Sequence, residues 1–576
     1  MTRLASRPRT RHALGIDEPC APDRPTLERR RARRRSAGVI ALAGLLDLAS
    51  GLTPPVQSRL HVLVSLVPLA VPQVATSLVV LAGIFLVLLA RGVRHGQRHA
   101  WQLSCALLAA TVALHVAKGG DLEEGAVALA ALGYLVHQRR AFTAVADPSS
   151  AWRALGALAV GASGVLLATV VVLTSSSHLT VARALAATVE RLVDVHTIPL
   201  SDRVADFLDP ALAALGFGVA VAAGWLVSRP VVVRHRAPAT DTDRAAAIVR
   251  RWGGDTLSYF ALRDDKRHFF VGDTLVAYAV LGGVCLVSPD PIGPPAERAW
   301  AWRAFRQFAD DHGWGVAVMG AGESWLPVYR ATGMKDVYIG DEAVVDVSTF
   351  SLEGGGRTGS LRKAVNRMAR NGYRVEFHDP AALEPELQGQ LRDLMTKSRR
   401  GDVERGFSMT LGRVFDPADR NLLLAVAYGP AGVPVAFCQY VPAADIDGWS
   451  LDLMRRDDGE HPNGLLDLVV VETIRHLQAR GDRGLGLNFA TMRGVLAGER
   501  GDGVTAGVKR WILEQLSDSM QIESLWKYNE KFRPEWRPRF ALYDAAEQFL
   551  PAALAVARAE SFTELPLIGR FLSPAA

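Results

Sequence analysis

The chain has 576 residues with a formal net charge of +6 and a mean hydropathy of +0.13. That length exceeds one ordinary domain, and positive hydropathy is high for a soluble chain with 22% charged residues. Residues 1–36 hold eleven Arg against four acids, a local charge of +7, so the basic balance belongs to the tail and implies no global affinity for nucleic acid.

In chain order, the tail 1–36 reads as a disordered, Arg-rich cytoplasmic arm. It lacks the small-residue cleavage site of a signal peptide. A spanning helix needs roughly 20 mostly apolar residues. Val71–Ala90, Ala100–Ala117, Ala154–Thr174 and Pro210–Ser228 qualify. Val39–Leu52, with Asp47, and Leu122–Gln138, with Glu123 and Glu124, are weaker. Arg29–Arg35, Arg91–Arg98, Arg139–Arg140 and Arg229–Arg236 punctuate every second connection, which supports six spans with both termini in the cytoplasm. Asp47, Glu123 and Glu124 sit near helix ends, within reach of water, although an ionisable group in lipid is a functional candidate by default. The apolar spacing of His178–Leu192 suits a helix lying along the outer interface.

After Arg229 short β-rich runs alternate with amphipathic helical stretches, the pattern of a mixed α/β domain. Strands are predicted within Leu275–Val287, at Gly315–Met319, Ala343–Val347, Tyr373–Phe377, Leu422–Ala427, Val433–Val441, Gly448–Met454 and Gly484–Phe489. Helices are predicted at Ala296–His312, Gly359–Asn371, Glu386–Ser398 and Asn463–Arg480. The Gly-rich stretch Glu353–Gly359 suggests a seam. The expected domains are therefore 1–36, 37–228, 229–352, 353–562 and a tail 563–576.

The chemistry-bearing signals are few. No Walker A loop, nucleophile elbow or HExxH is present, and the four scattered cysteines have no metal-ligand spacing, so neither a metal nor a cofactor is expected. The pyrophosphate loop of acyl-CoA-dependent acetyltransferases is also missing, which argues against a CoA thioester donor. One basic cluster comprises Arg357, Arg362, Lys363, Arg367, Arg370 and Arg374. Lys363, Arg367 and Arg370 are spaced to share a helix face, for phosphate or simply for solvent. A second, Lys527, Lys531, Arg533, Arg537 and Arg539, is interleaved with Trp526, Tyr528, Phe532 and Trp536, a composition suited to phosphate and base contacts or to a membrane interface. At Leu451–Arg456 a carboxylate and guanidinium groups meet at a strand end, where they form either a site or a structural ion pair.

Ordered segments across Arg229–Phe562 carry a resemblance. They are YFALRDDKRHFF (259–270), SPDPIGPPAER (288–298), SLRKAVNRMARNGYRVEF (360–377), GDVERGFSMTLGR (401–413), LDLMRRDDGEHPNGLLDLVVVETIR (451–475), LNFA (487–490) and SLWKYNEKFRPEWRPRF (524–540). This half resembles the catalytic domain of the phosphatidylglycerol lysyltransferase (multiple peptide resistance factor) family. The resemblance implies a tandem GNAT-like α/β domain behind an α-helical transmembrane bundle. It also implies transfer of lysine or another amino acid from aminoacyl-tRNA to phosphatidylglycerol, altering membrane surface charge and resistance to cationic peptides. By motif match, Asp452, Arg455 and Lys531 are the expected catalytic positions, converging on one site. Glu404, Arg405, Arg456, Asn463, Asn488, Tyr528 and Arg539 are expected to bind substrate. Arg362, Lys363, Arg367, Arg370 and Lys527 are expected to bind tRNA or phosphate.

Chemically, an aminoacyl ester is already activated. The enzyme has only to align a lipid hydroxyl with the ester carbonyl, move a proton and stabilise an oxyanion. Asp452 or Glu404 suits the donor's α-ammonium, and Arg455 or Lys531 an oxyanion or phosphate. The expected partners are aminoacyl-tRNA, phosphatidylglycerol and the bilayer, with homo-oligomerisation left open. The alternatives are a GNAT-type transferase with another donor or acceptor, and a lipid transporter whose soluble domain only regulates.

Overall fold

A computed structural model of the chain describes residues 24–52, 70–119, 121–144, 179–192, 239–353, 357–399, 406–491, 526–544 and 548–560, with scattered helical positions between 156 and 175. The predicted span Pro210–Ser228 lies outside the described residues. Two compact units result. One is Arg24–Arg234 with Arg306–Gly315, and the other is formed chiefly by His235–Phe305 and Val316–Ala576.

The first unit is helical. Its helices are α1 (Arg24–Leu52), α2 (Ala70–Arg94), α3 (Arg98–Gly119), α4 (Leu122–His137) and the amphipathic α5 (Val181–Leu192). The first four pack α1 on α2, α2 on α3, α3 on α4 and α4 back on α1. Their apolar positions form a core around Ile40, Leu86, Leu89, Leu108 and Leu135. Leu42, Leu45 and Leu129 nevertheless point outward, more than half exposed. Among the described residues, Arg98–Ala117 is long and apolar enough to cross a membrane by length and composition. Small residues let α1 and α2 meet backbone to backbone: a Cβ on Gly44 would lie 2.6 Å from Gly83 O, and one on Gly83 would lie 2.7 Å from Gly44 O.

In the second unit eleven strands form one mixed sheet in the order β1-β2-β3-β4-β11-β5-β10-β9-β8-β7-β6. The strands are β1 (Arg267–Val271), β2 (Thr274–Leu281), β3 (Val284–Val287), β4 (Gly315–Gly322), β5 (Lys335–Asp346), β6 (Arg374–His378), β7 (Leu423–Tyr428), β8 (Pro434–Ala443), β9 (Gly448–Arg456), β10 (Gly484–Thr491) and β11 (Glu535–Tyr543). The helices are α6 (Ala239–Trp252), α7 (Arg298–Asp311, of which the part from Arg306 is counted with the first unit), α8 (Arg357–Arg370), α9 (Pro385–Arg399), α10 (Leu465–Arg480) and α11 (Phe549–Ala559).

The apolar runs Leu423–Tyr428 and Val435–Val441 form buried strands because both sheet faces are covered. On one face, α8 and α10 pack Leu361, Val365, Met368, Leu468 and Ile474 against Cys438, Tyr440, Trp449 and Leu451. On the other, Leu391 and Leu394 of α9 pack against Phe437 and Leu453.

β11 is the strand that the sequence concealed behind its charges and prolines. It sits between β4 and β5, so the expected division at 353 separates the sequence but not the sheet. Pro538 is tolerated because the β4 ladder starts only at Arg539, leaving Pro538 paired on the β5 side alone.

Candidate functional site

Two features of β9 shape the site. The first is a splay. β9 and β10 run parallel and pair only at Gly448–Gly484, Trp449–Leu485 and Ser450–Gly486. The start of this pair is so close that a Cβ on Gly448 would meet Gly484 O at 1.8 Å. Beyond Ser450 the strands part, and a small pocket opens there, lined by Leu257, Phe260, Glu342, Met409, Ser450, Leu451, Phe489 and Arg539.

The second feature is a bulge. Leu453 faces Gln439 while Leu451 faces Tyr440, so Asp452 is an extra residue in the ladder. Simple alternation would put Asp452 and Arg455 on opposite faces. The bulge places Asp452 beside the side chain of Gln439, on the face shared by Phe437 and its ladder partner Arg455.

Asp452 is buried, and both its oxygens accept hydrogen bonds. Leu411 N donates to Oδ1 at 2.7 Å and Gln439 Nε2 to Oδ2 at 2.7 Å. The carboxylate thereby pins the segment Gly406–Arg413 over the splay. Arg455 is half-buried, and its guanidinium donates to Met454 O at 3.0 Å.

Lys531 lies on the other face. It pairs with Asp467 of α10 at 3.1 Å, its ammonium is 4.8 Å from the centre of the Tyr528 ring, and its neighbour Phe532 is buried in the α8/α10 core. The expected convergence of Asp452, Arg455 and Lys531 is thus replaced by a pair on one face and a lysine on the opposite one. Sequence distance could not reveal this, because a single extra residue in a strand inverts every side chain beyond it.

Arg539, expected to bind substrate, is 4% exposed and fully committed within the protein. Nε donates to Glu342, Nη1 to Asp255 and Gly320 O, and Nη2 to Asp255, Thr256 and Glu342. No guanidinium N–H remains for a phosphate, so Arg539 is corrected from a ligand-binding residue to a structural hub. Burial pushes the Asp255 carboxyl up, but Arg539 and Thr256 together hold it below the usual carboxylate range. Nearby Asp290 accepts from Tyr329 Oη at 2.5 Å and Gly322 N at 2.8 Å. Burial and the charge of Asp255 push it up to about 7. These acids come from separate segments, and no local motif links them.

The other expected positions distribute as follows. Lys363, Arg367 and Arg370 share the exposed face of α8, with Arg362 beside them. Arg362 donates to Leu352 O, Arg367 to Asn463 O and Arg370 to Asn366 O. Lys527, Arg456 and Asn463 are exposed. Tyr528 Oη is buried without a hydrogen-bond partner among the described residues. Glu404 and Arg405 lie outside the described residues, as does the side chain of Asn488 on β10.

Lys266 carried no sequence signal. Its ammonium is buried without a hydrogen bond, 4.5 Å from the Phe407 ring centre, and burial pushes it down to about 7. Its folded pKa lies below the unfolded value, so the protonated state opposes folding fully below pH 7. That deficit fades as pH rises toward 10.5. Lys266→Met is therefore expected to stabilise the protein by at most ~5 kcal/mol below pH 7, with the gain vanishing near pH 10.5. Thermal unfolding of both proteins from pH 6 to 10.5 checks this. A pH-independent difference would show that the ammonium finds compensation.

The mixed sheet, with its parallel β9–β10 pair splaying beside a pocket, defines a GNAT-like fold. Among solved structures, the chain is similar to L-PGS from Bacillus licheniformis, with a TM-score of 0.50 at 23% identity, covering 58% of this chain and 100% of that one. Residues 246–543 match the family described as phosphatidylglycerol lysyltransferase, C-terminal, and the chain belongs to that family. It is similar to proteins named lysylphosphatidylglycerol biosynthesis bifunctional protein LysX. The one from Mycobacterium marinum is 37% identical over 320 residues, which are 55% of this chain and 29% of that protein. The one from Rhodococcus opacus is 33% identical over 450 residues, which are 76% of this chain and 40% of that protein. The chain thus spans about three to four tenths of the length of these relatives.

Proposed function

We propose that the protein is a membrane-bound aminoacyltransferase that moves an amino acid, lysine or another, from aminoacyl-tRNA to a hydroxyl of phosphatidylglycerol. The observation that carries this reading is the family match over residues 246–543, which coincides with the folded sheet and its splay. In this reading the sheet is two GNAT-like lobes joined through the β5–β10 pair. The helical unit holds the catalytic unit at the cytoplasmic face through six spans, with the basic tail inside. The outward-facing leucines of α1 and α4 support a lipid surround.

In the reaction, the lipid hydroxyl attacks the ester carbonyl, the C–O bond to the tRNA ribose breaks, and the proton passes to the departing 3′ oxygen. The ester lies at the mouth of the splay, where the segment Gly406–Arg413 shields it from water. Asp452 positions that segment and directs negative potential at the donor's α-ammonium. Arg455, on the same face, stabilises the oxyanion or grips the lipid phosphate. The exposed face of α8, with Lys363, Arg367 and Arg370, tracks the tRNA backbone. Lys531 and Tyr528 act from the α10 side, where they order the wall behind the splay.

The test is incubation of the purified full-length protein with phosphatidylglycerol vesicles and a panel of separately charged tRNAs. Lipid products are resolved by thin-layer chromatography and mass spectrometry. Aminoacyl-phosphatidylglycerol is expected from at least one charged tRNA and none from uncharged tRNA. Failure with every charged tRNA would reject the proposal.

A further inference from the structure

The four packed helices of the first unit segregate charge along their length. Arg29–Arg35 on α1, Arg91 and Arg94 on α2, Arg98 on α3 and Arg139–Arg140 after α4 all mark one end of the antiparallel bundle. At the opposite end the same helices bring together Asp47 of α1, His115 of α3, and Asp121 and Glu124 at the start of α4. Asp47 is 4% exposed and His115 is 1% exposed.

The hydrogen bonding around His115 is directional. Nε2 lies 3.0 Å from Asp47 Oδ1; a carboxylate only accepts, so Nε2 donates there, and in the neutral ring the lone pair sits on Nδ1. Nδ1 is buried and makes no hydrogen bond, although Glu124 Oε2 lies 3.1 Å away. The carboxylate therefore stands close to the ring nitrogen but off its donor axis. Two lone-pair donors at that separation, without a proton bridging them, match neighbouring ligands of a small cation. Bonds of roughly 2.0–2.1 Å at tetrahedral angles place N and O ligands about 3.3 Å apart.

Asp121 supplies a third donor. One ligand atom from each of His115, Asp121 and Glu124 lies within 4.8 Å of the others. The backbone holds this set together, since Asp121 N donates to His115 O at 3.1 Å. Ser50 Oγ, on α1, donates to Glu124 Oε2.

We propose that His115, Asp121 and Glu124 bind a divalent ion of the zinc class, with Asp47 behind His115 as its orienting carboxylate. Imidazole nitrogen with carboxylate oxygens suits a borderline ion such as Zn2+ better than Ca2+ or Mg2+, which take oxygen ligands throughout. A carboxylate hydrogen-bonded to the far nitrogen of a ligating histidine fixes the tautomer and strengthens the ligand. The divalent charge also offsets acids that would be costly at the edge of a bilayer. Three protein ligands leave a fourth position open to solvent or to a lipid oxygen. The ion closes the α3–α4 turn, and Asp47 and Ser50 of α1 hydrogen-bond to its ligands, far along the chain from the residues proposed for aminoacyl transfer.

The test uses the full-length, untagged protein in nanodiscs, stripped of metal and titrated with Zn2+ against a chromogenic chelator. About one zinc per chain is expected, retained in millimolar Mg2+, with X-ray absorption showing an N/O shell that includes one imidazole and no sulfur. His115→Ala should abolish binding. Glu124→Gln keeps size at a partly exposed position and should weaken binding at least tenfold. Asp47→Asn should weaken it about 10–100-fold, through loss of the orienting carboxylate alone. Zinc should also raise the unfolding temperature of the wild type, and at the same concentration raise that of Glu124→Gln less. Failure of the stripped wild type to take up zinc would overturn the proposal. So would unchanged affinity in a folded Glu124→Gln protein.

Discussion

Arg539→Met is expected to destabilise the catalytic unit by about 3–5 kcal/mol, the usual cost of removing one partner of a buried ion pair. The guanidinium is 4% exposed and sits between Asp255 and Glu342, with Nη2 2.5 Å from Asp255 Oδ1 and 2.6 Å from Glu342 Oε2. Methionine fills the volume but leaves two carboxylates facing each other without a counter-charge. Asp290 shows the consequence already, since burial and the charge of Asp255 push its carboxyl up to about 7.

In the variant, the pKa of Asp255 should rise for the same reason, because Arg539 is what holds it down. A carboxyl raised in the folded state stabilises fully below its unfolded pKa, and that contribution is lost as pH rises through the folded value. The gap between wild type and variant should therefore narrow as pH falls from 8 to 5. Arg539→Lys keeps a charge but not the planar fork, and should fall between the two. Thermal unfolding of the three proteins across that pH range decides the matter. If Arg539→Met unfolds within a degree of wild type at pH 8, the network contributes little to stability.

Asp452→Asn is expected to lower lipid aminoacylation about 100-fold or more while leaving the fold intact. In the wild type the carboxylate accepts from Leu411 N and from Gln439 Nε2. The asparagine oxygen can keep the bond to Leu411 N. Its amide nitrogen would then face a donor, but Gln439 can resolve this by rotating its own amide. Gln439 Oε1 is buried without a hydrogen bond in the wild type, so the rotated form gives it a partner. Shape and hydrogen bonding are thus retained and the negative charge is removed. A large loss of activity with a normal unfolding temperature would assign the effect to charge at the splay, at the magnitude usual for one electrostatic group in a transition state. Asp452→Ala, by contrast, strands the Leu411 N–H and should lose stability as well. Near-normal turnover by a folded Asp452→Asn protein would make this carboxylate a purely structural clamp for Gly406–Arg413.

Much of this architecture was legible from local pattern. The predicted helices at Ala296–His312, Gly359–Asn371, Glu386–Ser398 and Asn463–Arg480 form within a few residues of their expected bounds. The apolar runs 422–427 and 433–441 form adjacent strands. These elements carry their own periodicity, and an apolar face on a helix or strand needs no knowledge of its partner. Exposure of Lys363, Arg367 and Arg370 follows from the same arithmetic, since Leu361, Ala364, Val365 and Met368 take the buried face.

Other features depended on tertiary contact. β11 was hidden because Pro538 and four basic residues in Lys531–Arg539 argue against a strand, and only pairing with β5 and β4 outweighs them. The bulge at Asp452 left no mark in the sequence, yet it decides which side chains share a face. Arg539 read as a substrate-binding cation beside aromatic rings; Asp255 and Glu342, 284 and 197 residues away, hold its guanidinium. His115 falls inside the apolar run Ala100–Ala117, and Asp47 and Glu124 read as helix ends within reach of water; helix packing sets all three around one point. Sequence by itself determined most of the elements between residues 275 and 489, their apolar faces and the resemblance to the family, because those rest on spacing and motifs along one chain segment. Which charged groups are buried together, and on which face of the sheet each one acts, was decided only by the tertiary structure, because those pairings join residues that no local spacing connects.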